Sequence, residues 1–518
     1  MDFLTKILLL LFPFLLFTNL LFGQQPNVLF IIVDDIGVGP IPNYEPNTTK
    51  ANMPHLESMM NEGITFDNVW SNPVCAPSRA NILTGKHGFR TNVLNAQSLA
   101  TLSLDETTLH EYIEQSSNGS YSNSLIGKWH LGGGGGGGGG MNANLDYPNQ
   151  SGIEYFAGVM GGGVSDYNDY NLVINGQETA TTDYITTKFT DLTIDWINDQ
   201  NQPWFCWLAY NAAHTPLHLP PTNMHTQGNL PTDSASIADN PLPYFIAMIE
   251  SIDFEMGRLF DNIPATELAN TVIIFVGDNG TSRNIIELPY LNNRGKGSLF
   301  QGGVHVPMVI SGAGVNRANE REDALVSFSD LFSTIVELTG MPLSQIHDSY
   351  SFAPLLSVQG DGQRDCMYTE VQSGGNSDGW AARDKIYKYI NLSNGGQRFY
   401  NLINDPYETD NLLPIGMLNG TELTSFEKLS NHFDVISSIT YLEKEETGFN
   451  VFPNPANDNL FIEIKNFEKQ DFYIFDFFGK EMKRGELDFE NETISIDELN
   501  TGIYLIQVGE EVRKFVKN

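Results

Sequence analysis

Two runs of apolar, largely β-branched residues fix most of what this chain can fold into. They are Val28-Leu29-Phe30-Ile31-Ile32-Val33 and Val272-Ile273-Ile274-Phe275-Val276. A strand with one wet face alternates polar and apolar positions, whereas an unbroken apolar run is covered on both faces, as in a parallel sheet. Each run ends in polar residues: Asp34-Asp35 in the first case, Gly277-Asp278-Asn279 in the second. Open α/β sheets bind their ligands at the carboxyl ends of their strands. One such acid pair reads as a solvated turn, but the repeated layout predicts that the two meet at one edge of a sheet. Their carboxylate and amide oxygens are hard ligands that suit Ca2+ or Mg2+. Two more runs, residues 124–131 and 203–210, read as further strands, and the second leads into Asn211-Ala212-Ala213-His214-Thr215-Pro216-Leu217-His218.

Between the first strands lies Val74-Cys75-Ala76-Pro77-Ser78-Arg79-Ala80-Asn81-Ile82-Leu83-Thr84-Gly85. Pro77 suits a first helical turn and Gly85 a helix end, which places Cys75 just before a helix N-terminus, where negative charge is favoured. A lone cysteine in such a place is ordinarily buried packing. The other cysteines, Cys206 and Cys366, sit in apolar or strand-like runs, and none of the three has metal-site spacing. Cys206 and Cys366 read as buried thiols, with a bridge between them left open.

The balance of 28 Lys+Arg against 63 Asp+Glu gives a net charge of −35. Nucleic acid, whose phosphates need a basic face, is excluded as a partner. A saline habitat, which screens such self-repulsion, fits. Residues 1–23, with Lys6 before a Leu/Phe-rich stretch and Gly23 at its end, read as a secretory signal peptide. No later segment is long and apolar enough to span a bilayer. A length of 518 residues predicts several domains. Helices are expected near residues 54–63, 251–260 and 324–338, a loop over 220–243, and one helical stripe through Leu423, Phe426, Leu429, Phe433 and Ile436.

Cys-x-Pro-x-Arg continued as Ala-x-x-Leu-Thr-Gly resembles the defining motif of the type I, formylglycine-dependent sulfatases. Further stretches resemble that family in its own order: Asp34-Asp35, Gly127-Lys128-Trp129-His130-Leu131-Gly132, Ala212-Ala213-His214-Thr215-Pro216, Asp278-Asn279-Gly280 and Arg294-Gly295-Lys296-Gly297. The resemblance implies an alkaline-phosphatase-like α/β fold with a central, mostly parallel sheet and a small C-terminal α+β subdomain. It implies that a formylglycine-generating enzyme oxidises Cys75 to formylglycine (3-oxoalanine), whose hydrate is the nucleophile. Asp34, Asp35, Asp278 and Asn279, with an oxygen of the modified Cys75, would hold Ca2+. Arg79 and Lys128 would stabilise the hydrated aldehyde. Lys128, His214 and Lys296 would bind the sulfate, with His214 preferred to His218 as proton donor. His130 would take a proton from the second hydroxyl. The polar residue that aids proton transfer after the Gly-Lys-Trp-His segment is not aligned, because nine glycines, Gly132 to Gly140, disturb the spacing; Ser165 is one candidate.

The tail alternates polar and apolar residues, as a small β-sandwich module does. Its Pro453-Asn454-Pro455-Ala456, Gly479-Lys480 and Thr501-Gly502-Ile503-Tyr504 resemble the C-terminal sorting domain of type IX secretion in Bacteroidetes. The expected divisions are a signal peptide at 1–23, a catalytic domain at 24–340, a subdomain at 341–446 and a sorting domain at 447–518, the last handled by the type IX machinery. The implied protein is a secreted sulfuric ester hydrolase of a sulfated polysaccharide or oligosaccharide of marine algal origin, ulvan first, then carrageenan or fucoidan. The alternatives are a phosphonate or phosphate ester hydrolase on the same fold, and a non-catalytic binder of sulfated glycans with Cys75 left unmodified.

The charge balance generates a prediction. A strongly negative protein repels a sulfated polymer over a Debye length of about 30 Å at about 0.01 M salt but only about 3 Å near 1 M. Arg79, Lys128, Lys296 and a bound cation attract sulfate at close range. The value of kcat/KM on polymer is therefore expected to rise with NaCl toward seawater strength, and to rise much less on a monosulfated sugar. A monotonic fall on polymer would mean that a basic groove outweighs the negative surface.

Overall fold

The computed structural model describes residues 25–97, 100–133, 144–343 and 347–438, and most of 449–517. Ten strands form one sheet: β1 (Asn27–Val33), β2 (Ile64–Trp70), β3 (Ser122–Lys128), β4 (Tyr155–Val159), β5 (Tyr170–Ile174), β6 (Gln177–Thr181), β7 (Trp204–Ala209), β8 (Thr271–Gly277), β9 (Met308–Gly312) and β10 (Glu320–Ser327). Their spatial order is β10-β2-β9-β8-β1-β7-β3-β4-β5-β6. The central run from β8 to β4 is parallel. Antiparallel pairs lie outside it, with β9 against β8 and β2 on one side and β5 against β4 and β6 on the other.

Strand β1 shows why its sequence has no polar position. Val28, Phe30 and Ile32 pack into one core, and Leu29, Ile31 and Val33 into another on the opposite face. The first core takes Ala76, Ala80 and Leu83 of the Cys75–Thr84 helix, with residues of the Leu109–Ser117 and Asp330–Leu338 helices. The second takes residues of the Pro54–Glu62, Ile185–Asn198 and Leu242–Asn262 helices. Each large aliphatic side chain so buried contributes roughly 1.5–3 kcal/mol. The registers then fix the strand ends. Val33 pairs with Gly277, while Ile32 and Gly127 both pair with Ala209. Asp34, Asp278 and Lys128 therefore emerge side by side.

Several elements differ from the sequence reading. The long helix runs Leu242–Asn262 because Pro243 falls in its first turn, where proline is tolerated, and the region before it holds a short helix, Ser234–Asp239, capped by the Asp233 side chain. Residues 320–327 form β10 ahead of the Asp330–Leu338 helix. Its polar outer residues disguise an edge strand. The stripe from Leu423 to Ile436 is split at Asn431 between the Gly420–Ser430 and His432–Ser438 helices, and only Phe426 and Leu429 of it are fully buried. Cys206 and Cys366 are buried free thiols rather than a bridge, and burial pushes the Cys206 thiol up to about 12.

A second, antiparallel sheet joins β11 (Met367–Val371), β12 (Gly379–Arg383), β13 (Tyr387–Leu392) and β14 (Gln397–Asn401). Phe426 and Leu429 pack on it beside Tyr387, Tyr389 and Phe399. The chain divides into two compact units, one through Phe433 and one from Asp434. The second has a three-stranded and a four-stranded antiparallel sheet around Leu460, Ile462, Ile474, Ile506 and Phe515. Residues 1–23, the glycines from 134 to 140 and the 446/447 division lie outside the described residues.

Gly127 positions Lys128. Its φ is +119°, and a Cβ there would lie 1.9 Å from the Ala209 carbonyl oxygen. Gly127→Ala is expected to cost about 2–5 kcal/mol by combining strain with overpacking. Denaturant unfolding checks this; an unchanged midpoint would show that β3 and β7 separate freely.

Candidate active site

The ends of β1 and β8 bring Asp34, Asp35, Asp278 and Asn279 together, all buried. Asp278 N donates to Val33 O at 2.9 Å, and Asp35 N to Asp278 Oδ1 at 3.1 Å. Asp35 has φ +60°, in the left-handed region that aspartate tolerates better than most residues. Asn279 Nδ2 donates to Asp35 Oδ1 at 2.9 Å. Each carboxylate meets its own cation: Asp34 meets Lys128, Asp278 meets Arg79 at 2.9 Å, and Asp35 meets Lys296. Arg79 Nη1 also donates to the Lys128 carbonyl at 3.1 Å, linking the Cys75–Thr84 helix to the end of β3.

Burial works against every charge here, and the neighbours decide each outcome. Burial would raise the Asp35 carboxyl, but Lys296 and His214 beside it hold it well below the usual range. Asp34 goes the other way: burial and then Asp278 push it well up, and Lys128 offsets only part of this. Burial opposes the charge on Lys296, yet Asp35 and its neighbours hold the ammonium above its ordinary value.

Cys75 is the first residue of the Cys75–Thr84 helix, one place later than the sequence reading put it. Gly85 ends that helix at φ +66°, with its N–H on Asn81 O. Cys75 Sγ lies 3.2 Å from His130 Nδ1, and His130 Nε2 lies 3.1 Å from Ala96 O. A carbonyl can only accept, so Nε2 carries the hydrogen and the Nδ1 lone pair faces the thiol. His130 reaches this place through φ +60° beyond the end of β3, not as an alternate residue on the strand. His214 Nε2 is 4.0 Å from Asp35 Oδ2, and its Nδ1 is 2.8 Å from Thr215 O. His218 instead packs on Tyr167, ring centroids 4.2 Å apart, with its Nε2 3.1 Å from Tyr184 Oη. Ser165 is exposed.

Residues 26–341 match the family model described as sulfatase, more than half of the chain. The chain belongs to the sulfatase family. Residues 450–518 match the secretion system C-terminal sorting domain. An uncharacterized sulfatase of Escherichia coli K12, YdeN, is 28% identical over 389 residues, covering 65% of this chain and 67% of that one. Mouse arylsulfatase G is 26% identical over 376 residues, covering 62% and 66%. The chain thus spans about two thirds of the length of these relatives. Among solved structures, that of Ps i-CgsB in complex with k-i-k-neocarrahexaose superposes with a TM-score of 0.66 at 22% identity, covering 80% of this chain and 93% of that one. That likeness carries the fold. The sulfatases are a family of sulfuric ester hydrolases.

The donor set of this sulfatase fits a hard divalent cation. Asp34 Oδ1 and Asn279 Oδ1 are buried without a hydrogen-bond partner. Leaving a buried acceptor unsatisfied costs about 1–3 kcal/mol. Asp34, Cys75 and Asp278 offer ligand atoms that all lie within 4.8 Å of one another. An oxygen-rich set suits Ca2+ or Mg2+ better than Zn2+, which prefers nitrogen and sulfur.

Sequence reasoning missed the residues that hold this site from behind. Tyr167 Oη lies 2.8 Å from the Asn211 carbonyl oxygen and 2.6 Å from that of His214, its one hydrogen shared between them. A Cβ on Gly162 would lie 2.4 Å from the His130 ring, and one on Gly163 would lie 3.1 Å from His214 Nδ1. The glycine run at residues 161–163 was the one visible signal of a close approach. Arg283 left none.

Stripping divalent cations with a chelator is expected to lower the thermal midpoint, and Ca2+ to restore it. Saturation at 100 times the dissociation constant would add about 2.7 kcal/mol. A midpoint indifferent to both additions would contradict the fit.

Proposed function

We propose that this protein is an exported sulfatase that hydrolyses sulfate esters on a sulfated polysaccharide or oligosaccharide. The observation that carries this reading is Cys75 at a helix start, 3.2 Å from His130 Nδ1, beside carboxylates and cations paired one to one. Bound Ca2+ and a Cys75 modified to formylglycine would supply, respectively, positive charge for sulfate oxygens and a hydrated aldehyde as nucleophile. Asp34, Asp35, Asp278 and Asn279 would hold the cation.

The remaining work falls to the chain's own side chains. A sulfate ester is shielded by its oxygens, so its hydrolysis needs preorganised positive charge. Arg79 on Asp278, Lys128 on Asp34 and Lys296 on Asp35 would supply it. His130 has its Nδ1 lone pair toward residue 75 and serves as the base there. His214 has its Nδ1 hydrogen on Thr215 O, which leaves Nε2 toward the site to carry a proton to the leaving alcohol. Burial and Lys128 lower the His214 imidazole to about 4, and an arriving sulfate monoanion offsets that nearby positive charge.

The substrate class is supported by carrageenan-type oligosaccharide in the structural neighbour and by the strongly acidic chain; ulvan, carrageenan and fucoidan are the polymers to try first. The match over residues 450–518 supports export through the type IX machinery after a leader at 1–23, with the sorting domain as a separate unit. Among the described residues no helix is long and apolar enough to cross a membrane.

Cys75→Ala is expected to abolish sulfate release while leaving the unfolding midpoint near that of the wild type. Wild-type turnover in that variant would remove residue 75 from the chemistry. Faster cleavage of a phosphonate than of a sulfate ester with the same leaving group would move the protein to the phosphonate hydrolases.

A further inference from the structure

Lys296 stands on neither a helix nor a strand; it follows the short Asn292–Arg294 turn. A flexible lysine in a loop is a poor tool unless its backbone is fixed, because a displacement of about 1 Å costs up to roughly 100-fold in rate. The backbone here is held from several sides. Lys296 N donates to Thr281 O at 2.9 Å, and Gly297 N to Pro73 O at 2.8 Å, which ties it to the segment just before Cys75. Gly297 has φ +75°, and a Cβ on Gly295 would lie 2.6 Å from Thr281 O, so the loop lies flat against its support.

Two successive carbonyls of this loop go to one side chain. Arg283 Nε donates to Lys296 O at 2.9 Å, and Arg283 Nη2 to Gly297 O at 2.7 Å. Nη2 also donates to Ser377 Oγ at 3.3 Å, in the connection between β11 and β12 of the smaller sheet. In a chain with 63 acidic residues, this half-buried arginine makes no ion pair among the described residues. Its donors are spent on carbonyls and a hydroxyl. The planar guanidinium holds its donors in a fixed fork that meets two successive carbonyls, whereas a lysine ammonium offers its donors from one point on a flexible stem.

We propose that Arg283 is the positioning residue of Lys296: its guanidinium clamps the lysine's backbone between the segment before Cys75 and the β11–β12 connection of the smaller sheet. This rests on Lys296 being a sulfate contact. Arg283 touches no substrate in this account and acts through Lys296.

The test is a double-mutant cycle read by calorimetric binding of inorganic sulfate to the Ca2+-loaded full chain, alongside the thermal midpoint. Arg283→Ala is expected to weaken sulfate about 10-fold or more in the wild-type background, within the range a misplaced group costs. It should have almost no further effect in a Lys296→Ala background, because contacting residues in one chain of action are non-additive. Arg283→Lys keeps the charge without the fork and should fall close to Arg283→Ala; this milder variant serves if the alanine form does not fold. Equal losses in both backgrounds would mean that Arg283 merely supports the structure, and wild-type binding in Arg283→Lys would mean that charge alone matters; either overturns the proposal. If Lys296→Ala alone binds sulfate like the wild type, the assignment of Lys296 falls first, and the clamp falls with it.

Discussion

Three carboxylates buried at adjacent strand ends cannot remain charged without partners, and that constraint organises this molecule. Placing an unpaired ion in such an interior costs several kcal/mol, so Asp34, Asp35 and Asp278 require cations with good geometry. Lys128 arrives on β3, Arg79 on the helix that starts at Cys75, and Lys296 on a glycine-rich loop. Each comes from a different part of the chain, so the parallel sheet, the Cys75–Thr84 helix and the loop must all be in register before the charges balance. The apolar strands supply that register. Val33 opposite Gly277 and Ile32 opposite Ala209 set the level at which every acid and base leaves the sheet.

The same balance explains why the site suits an anionic ester. Three cations paired with three carboxylates attract little by themselves, but the buried Asp34 Oδ1 and Asn279 Oδ1 still lack partners. In the proposed reading, a divalent cation on those oxygens would make the site net positive and would free Lys128 and Lys296 to turn toward sulfate oxygens. The protein as a whole is strongly negative, so attraction for sulfate would be confined to a few ångströms around residue 75. With such a cation bound, surface charge and site charge would have opposite signs, and salt would separate them.

Much of this was legible in the sequence, and the reason is locality. The runs at residues 28–33 and 272–276 show their double-sided burial in every side chain, and two short segments each carry two candidate site residues, Cys75 with Arg79 and Lys128 with His130, while those around His214 and Lys296 carry one each. What was not legible is made by contacts between distant segments with no pattern of their own. Tyr167 meets the His214 carbonyl, Arg283 meets the Lys296 carbonyl, and Ala96 orients His130 through its backbone oxygen. A backbone acceptor has no residue type, so no spacing announces it. The element boundaries that moved have equally local causes: a proline hidden in the first turn of a long helix, and polar residues on an edge strand.

The account stands on the fate of residue 75. In the proposed reading the Cys75 thiol, 3.2 Å from His130 Nδ1, is the precursor of the nucleophile, and its oxidation would give a bound cation a further oxygen ligand. The most direct measurement is the mass of the peptide containing Cys75, taken from protein produced in a host that has the formylglycine-generating enzyme and shown to release sulfate. The account predicts that sulfur and two hydrogens are lost and one oxygen gained at that position. An intact cysteine in fully active protein would contradict it.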